Sequence, residues 1–217
     1  MRPFRFETWG LLLILLSVLA TWGLYDRLPD PVPIHWDLRG SPDGFAPKPW
    51  GPVLFPAMLV VVYLVLAFLP RFLRGSEKSD EVTRALDVAR LGTLGFLFAL
   101  NLAALIAPLG YPGAMERSLT VGLGGLFMVI GPTLRHLPRN RIIGVRTPST
   151  LRSDEVWKAT HERCAHLFSC AGVAILVVAL MGGGLLPVLV LALAAGLASL
   201  VVAWVEGRRV REESDRK

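Results

Sequence analysis

The sequence is poor in several polar residue types that soluble enzymes commonly use. It contains no glutamine, two asparagines and two cysteines among 217 residues. A shortage of thermolabile amides fits a thermophilic source, although GC-biased codon usage produces the same pattern. Cys164 and Cys170 are six positions apart, which puts them on different sides of a helix. We interpret both as core thiols in a reducing compartment, and not as a disulfide.

Charged residues are missing from the central part of six long apolar runs. The chain is 53% hydrophobic with a mean hydropathy of +0.53, which exceeds the apolar content of soluble domains. Each run approaches the roughly 20 residues that a helix needs to cross a bilayer, and lipid offers no partner for an unpaired backbone. We predict an all-α membrane protein, with residues 1–217 forming a single six-helix domain. The predicted spans are about 9–25, 51–69, 91–110, 118–134, 167–181 and 185–205.

The same lack of charge limits the chemistry that the chain can perform. Ion-coupled transporters use charged groups at membrane depth, whereas Asn101 is the only strongly polar side chain within these runs. We expect Asn101 to hydrogen-bond a neighbouring helix. His161, Glu162 and His166 have HExxxH spacing, which places the imidazoles about 140° apart on a helix and argues against metalloprotease chemistry. Neither a phosphate-binding loop nor a nucleophile elbow appears, so we expect no metal, no cofactor and no enzymatic activity.

Basic residues indicate how the chain is oriented. With both termini in the cytoplasm, nineteen of the 23 lysines and arginines lie inside, and the outside holds Arg27, Arg39, Lys48 and Arg117. Because cytoplasmic loops accumulate such residues, we predict an N-in, C-in protein of the cytoplasmic membrane. The pI near 9.9 is then explained by contact with anionic lipid, and we expect no direct binding of nucleic acid.

A polar insertion at residues 26–50 is predicted to lie outside the membrane. Apolar residues alternate with His35 and Asp37, which predicts a short extended segment, and a turn signal follows at 40–44. His35 and Asp37 project from one face of that segment, where they could bind a metal or form an ion pair. Trp36, Phe45 and Trp50 are candidate anchors at headgroup depth.

A second polar insertion, residues 135–166, is predicted to lie inside. It begins with arginines at 135, 139, 141, 146 and 152, with no acidic residue among them. Two interpretations remain open. The arginines either reflect topology and contact with lipid headgroups, or they recognise an acidic group on a protein or ligand through the guanidinium fork.

The second half of this insertion is predicted to be helical. Ser153 followed by Asp154 and Glu155 is typical of a helix start. From there Val156, Trp157, Thr160, Cys164, Leu167 and Phe168 share one face, opposite Asp154, Lys158 and Glu162. We therefore expect an amphipathic helix at the inner interface that runs on into the fifth span.

Two stretches resemble a known family. The residues NRIIGVRTPSTL at 140–151, followed by EVWKATH at 155–161, closely resemble the signature of the SdpI family of bacterial membrane proteins. The outer segment, with LPD at 28–30, His35-Trp36 and GSPDG at 40–44, is similar to the N-terminal domain often joined to that family. Ser149 departs from the pattern, because many relatives carry an aromatic residue there, and this puts a stacking role at position 149 in doubt.

The resemblance implies immunity to a secreted membrane-active peptide and signalling through a cytoplasmic repressor held at the bacterial inner membrane. The partner- or ligand-binding residues predicted on the inside are Asn140, Arg141, Gly144, Arg146, Thr147, Pro148, Trp157 and His161. Recognition of a peptide toxin or of lipid outside is predicted at His35, Trp36, Asp37, Asp43 and Phe45. The alternative is a membrane enzyme, or a lipid- or small-ligand-binding protein, in which Arg141 and Arg146 clamp an anionic headgroup.

Overall fold

Six long helices dominate the computed structural model, which describes residues 6–68 and 80–216. All six are long and apolar enough to cross a membrane, and a further helix of five residues precedes the fifth of them. The six-span helical membrane bundle predicted from the sequence is therefore confirmed. The helices are α1 (Phe6–Leu24), α2 (Leu54–Phe68), α3 (Asp80–Ile106), α4 (Ala114–Leu134), α5 (Pro148–Arg152), α6 (Asp154–Leu180) and α7 (Leu185–Asp215).

Among the described residues, 6–68 and 80–216, the most extensive contact between two helices is that of α4 with α6. Helix α4 also packs against α3, α6 packs against α7, and α1 and α2 pack on α3. Small residues permit the close approach, because a methyl group added at Gly131 would lie 2.6 Å from Ser169 Oγ, and one at Gly172 would lie 2.8 Å from Met128 Cγ. Packing of this kind is how helices associate in lipid, where no hydrophobic force drives them together.

The outward faces of α1 and α7 carry large exposed apolar side chains, Trp22 and Leu193 among them. An apolar surface this extensive would aggregate in water, and in a membrane it is covered by lipid. Cys170 is also exposed on α6, whereas Cys164 is buried. The interpretation of both cysteines as core thiols is therefore wrong for Cys170, since six positions along the helix turn it away from the core.

A buried hydrogen bond joins α1 to α3. The amide nitrogen Nδ2 of Asn101 donates to Ser17 Oγ at 2.8 Å, and both side chains are fully enclosed between the helices. The prediction that Asn101 bonds a neighbouring helix is confirmed. Bonds of this type contribute about 0.6–1.7 kcal/mol in membrane proteins, because the partners also find substitutes when the helices separate.

A β-hairpin covers one end of the bundle. Strand β1 (Val32–Trp36) pairs antiparallel with β2 (Pro42–Ala46), and Asp37 closes the turn by accepting hydrogen bonds from the amides of Arg39 and Ser41 at 2.8 and 2.9 Å. The Trp36 ring lies 6.4 Å from the Phe55 ring, between their centroids, and fastens the hairpin to α2. The extended segment predicted here is confirmed. We call this the hairpin end of the bundle, and the opposite end, which carries residues 135–166, the signature end.

The amphipathic helix predicted from Ser153 onward is also confirmed. The Ser153 hydroxyl accepts a hydrogen bond from the amide of Val156 at 3.2 Å and caps α6, which then continues without a break to Leu180. On the face predicted to be buried, Val156 and Trp157 are buried. On the face predicted to be polar, Lys158 is exposed. The amphipathic segment is thus the first part of a spanning helix.

Candidate functional site

The chain between α4 and α5 is folded by its own side chains. Asn140 Oδ1 accepts hydrogen bonds from the amides of Ile142 and Ile143 at 2.7 and 2.9 Å, and its Nδ2 donates to the carbonyl of Pro138 at 2.8 Å. An asparagine that bonds the backbone two and three residues later stabilises a tight turn. Asn140 is buried. Its amide can accept two hydrogen bonds and donate two, and this turn uses both acceptor positions and one donor.

Two aromatic residues on α6 hold this turn against the bundle. Trp157 and His161 are four positions apart, on one face of the helix, and their rings stack with centroids 4.0 Å apart. Trp157 Nε1 donates to the carbonyl of Leu137 at 2.8 Å, and His161 Nε2 lies 3.0 Å from the amide of Val145. Because an N–H must donate to Nε2, the imidazole proton is on Nδ1, which donates to the carbonyl of Trp157 at 2.8 Å. His161 therefore acts as a neutral acceptor and donor within the fold.

Gly144 makes the contact between the loop and His161 possible. Its φ is +97°, in the region that favours glycine, and a methyl group at this position would overlap His161 Nε2. The same methyl group would lie 3.3 Å from the edge of the Trp157 ring. Glycine is required here both by the backbone conformation and by the lack of space.

The loop ends in a capped helical turn. Thr147 and Thr150 form a capping box at the start of α5, in which each side chain accepts a hydrogen bond from the other residue's amide, and Pro148 occupies the first helical position. Thr150 Oγ1 also donates to the carbonyl of Val145 at 2.8 Å. Ser149 meets α7, where a methyl group at Gly207 would lie 2.8 Å from Ser149 Cβ. The close contact between these small residues explains a small side chain at position 149.

The structure therefore divides the predicted inner residues into two groups. Arg141 and Arg146 are exposed, and Arg146 Nη1 donates to the carbonyl of Arg141 at 2.8 Å. The remaining residues give the loop its shape through the contacts described above. That second group is Asn140, Gly144, Thr147, Pro148, Trp157 and His161.

Two other arginines of the signature end are paired with acidic residues. Arg139 Nε lies 2.6 Å from Asp154 Oδ1, and Arg139 Nη1 donates to the carbonyl of Leu151 at 2.8 Å. Arg163 Nη1 lies 2.6 Å from Oε1 of Glu206, whose side chain is 0% exposed. This pair joins α6 to α7 near the signature end.

Glu206 was not predicted from the sequence, because the predicted sixth span ends at residue 205. The available signal was helical spacing, since Ser199, Ala203 and Glu206 lie on one face of α7. All three are buried. If the sixth helix continues beyond Val205, the same spacing places the Glu206 carboxylate on the buried face of α7, toward α6.

At the hairpin end, the predicted residues have different surroundings. His35 Nδ1 lies 2.5 Å from Asp43 Oδ1, across the hairpin, whereas Asp37 bonds the turn amides. Of the two alternatives for His35 and Asp37, the ion pair between them is wrong, because the Asp37 carboxylate accepts hydrogen bonds from the turn amides. Trp36 is packed on Phe55, and Phe45 is exposed. Within residues 6–68 and 80–216, no three histidine, cysteine or acidic side chains are grouped as a metal site would need.

Comparison with known proteins relates both ends of the bundle to other chains. Residues 136–204 match the SdpI/YfhL protein family, and residues 12–60 match a domain of unknown function, DUF1648. Over 200 residues the chain is 30% identical to the Immunity protein SdpI of Bacillus subtilis (strain 168), an alignment covering 90% of this chain and 92% of that protein. No solved structure matches the chain. The first matched region contains the loop folded around Trp157 and His161, and the second contains the hairpin.

Proposed function

The chain belongs to the SdpI/YfhL family of bacterial membrane proteins, and we propose that it is a non-enzymatic immunity protein that protects against a secreted membrane-active peptide. The observation that carries the proposal is the identity of 30% over nine tenths of the chain to an immunity protein. That alignment is long enough to include both the hairpin and the signature loop. The protein is a multi-pass component of the bacterial inner membrane, as six apolar helices and the family membership indicate.

We infer that the signature end faces the cytoplasm. Exposed arginines are concentrated there, at positions 135, 141, 146 and 152, and α7 carries further arginines at 208, 209 and 211. The hairpin end contains Arg27, Arg39, Lys48 and Arg117. The positive-inside rule therefore supports an external hairpin.

The hairpin offers the surface on which a membrane-active peptide would be met. Leu38 and Phe45 are 57% and 53% exposed, and Trp50 next to the hairpin is 50% exposed. Trp36 packs on Phe55 of α2, so the hairpin that carries these apolar side chains is held against the bundle. An amphipathic peptide buries its apolar face on surfaces of this kind.

We assign Arg141 and Arg146 to contact with an acidic cytoplasmic partner, in keeping with a repressor held at the membrane. The loop is fixed by Asn140, Trp157 and His161, so the two guanidinium groups project from a defined backbone. Arginines carried by a fixed backbone suit bidentate recognition of carboxylates, because the loop loses little backbone freedom on binding.

Two exposed apolar residues of the hairpin, Leu38 and Phe45, are expected to be needed for protection. In a Bacillus subtilis strain that lacks its Immunity protein SdpI, we expect this chain to raise survival against the secreted factor that SdpI protects from. The double variant Leu38→Ser/Phe45→Ser should lower survival about tenfold or more, because losing two apolar contacts costs at least about 1.4 kcal/mol of binding. Colony counts measure the effect, with Tyr111→Ser as control, since Tyr111 is 65% exposed at the same end but lies outside the hairpin. No rescue by the unchanged chain would contradict the proposed function.

The two exposed arginines of the signature loop, Arg141 and Arg146, are expected to be needed for protection. Arg141→Gln/Arg146→Gln should lose protection about tenfold or more while the protein still inserts, because charge-assisted hydrogen bonds to a partner are removed. The matched control is Arg135→Gln/Lys158→Gln, which removes the same charge from two other exposed residues. Membrane fractionation and colony counts are the measurements. Equal survival of the two double variants would show that these arginines serve topology alone.

A further inference from the structure

A groove lies at the signature end, between α7 on one side and α5 with the start of α6 on the other. Its volume is about 620 Å³. One wall is formed by α5 and the capped start of α6. The other wall is formed by the last part of α7, from Trp204 onward. The lining residues are Thr147, Pro148, Ser149, Arg152, Ser153, Val156, Trp204, Gly207, Val210, Arg211 and Asp215.

The lining combines positive charge with apolar surface. Arg152 and Arg211 are exposed, and neither forms an ion pair with any residue in the part of the chain that the structure describes. Asp215 is the acidic residue of the lining, and Val156 and Trp204 are apolar. A groove with two unpaired guanidinium groups, one carboxylate and an aromatic wall is complementary to an anionic amphiphile.

The position of the groove on α7 indicates how deep in the membrane it lies. Leu197, Leu200 and Val201 precede Trp204 on the outward side of α7, and all are exposed in the isolated chain. The Arg208 guanidinium lies 4.3 Å from the centre of the Trp204 ring. Tryptophan beside arginine at the end of an apolar helix is typical of the headgroup region.

We propose that this groove is a binding site for the headgroup of an anionic phospholipid. The phosphodiester lies between Arg152 and Arg211, and the acyl chains extend along the apolar outward face of α7 that ends at Trp204. A lipid fits better than a soluble anion, because the groove is continuous with the surface that lipid already covers. The site is separate from Arg141 and Arg146, so it stands whether or not those residues dock a partner.

The experiment uses the purified full-length chain in detergent with added phosphatidylglycerol or phosphatidylcholine, and native mass spectrometry measures the lipid retained. We expect one phosphatidylglycerol per chain to be retained in preference to phosphatidylcholine. Arg152→Gln/Arg211→Gln should weaken that retention about tenfold or more, because each basic residue beside an anionic headgroup adds electrostatic attraction to the binding free energy. Arg135→Gln/Lys158→Gln removes the same charge outside the groove and should change retention by less than about threefold.

The outcomes separate the alternatives. If both double variants lose phosphatidylglycerol equally, general attraction between the basic surface and anionic lipid explains the binding, and the proposal is overturned. If the unchanged chain retains the two lipids equally, the groove does not select an anionic headgroup, and the proposal is overturned as well. Millimolar inorganic phosphate should not displace the lipid. Displacement by phosphate would identify a site for soluble anions and would also overturn the proposal.

Discussion

Gly144→Ala is expected to detach the signature loop from α6 and to lower the free energy of unfolding by about 2–5 kcal/mol. The left-handed backbone at this position costs a residue with a side chain about 1–2 kcal/mol. The added methyl group also overlaps His161 Nε2, the atom that accepts the amide of Val145. Loss of that hydrogen bond leaves the buried Nε2 of His161 unpaired, which costs about 1–3 kcal/mol more.

Hydrogen exchange and thermal unfolding in detergent measure the two consequences of this substitution. Amides from Ile142 to Thr147 should lose protection in Gly144→Ala, and immunity should fall with them, since Arg141 and Arg146 would no longer be held. The matched control is Gly110→Ala, because Gly110 has a φ of +109° but nothing lies within 4 Å of its added methyl group. That variant should show the backbone cost alone. Equal destabilisation by the two substitutions would mean that contact with His161 adds nothing to the fold.

The spans and the start of α6 could be predicted from the sequence because local signals determine them. Six apolar runs must be helices in lipid. Ser153 followed by Asp154 and Glu155 indicates a helix start from local sequence alone. Asn101 could also be assigned to an interhelical bond, since a lone amide at membrane depth must find a partner among its neighbours. The identity of that partner, Ser17, depended on which helices touch.

The contacts of the signature loop could not be predicted, because residue type alone does not separate a binding residue from a supporting one. Tryptophan is common in binding interfaces and histidine in catalytic and metal sites, yet the structure places His161 at 1% exposure beneath Gly144. The pairing of His35 with Asp43, instead of Asp37, likewise depended on the register and turn of the hairpin. Each of these contacts joins residues that are separated in the sequence and lie in different elements or loops, so it depends on how these pack and not on local residue patterns.

Arg163→Leu is expected to lower the free energy of unfolding by about 2–3 kcal/mol, although Arg163 is half exposed. Glu206 is 0% exposed, so removing its partner leaves a carboxylate that is enclosed between α6 and α7. Breaking a buried ion pair from one side typically costs about 3–5 kcal/mol. The figure is smaller here because water reaches the arginine side of the pair. In addition, Arg209 Nη1 stands 3.9 Å from Glu206 Oε2 and replaces part of the lost interaction.

The double variant Arg163→Leu/Glu206→Leu should recover most of this loss and lie within about 1 kcal/mol of the unchanged chain. Replacing both members of a buried pair by apolar residues removes the desolvation cost together with the attraction. Chemical or thermal unfolding of the four chains in detergent gives the coupling energy, which we expect at about 1–3 kcal/mol. Arg135→Leu is the control, because Arg135 is exposed and forms no ion pair within residues 6–68 and 80–216, and its change should stay within about 0.5 kcal/mol. If the two substitutions are simply additive, the pair does not join α6 to α7.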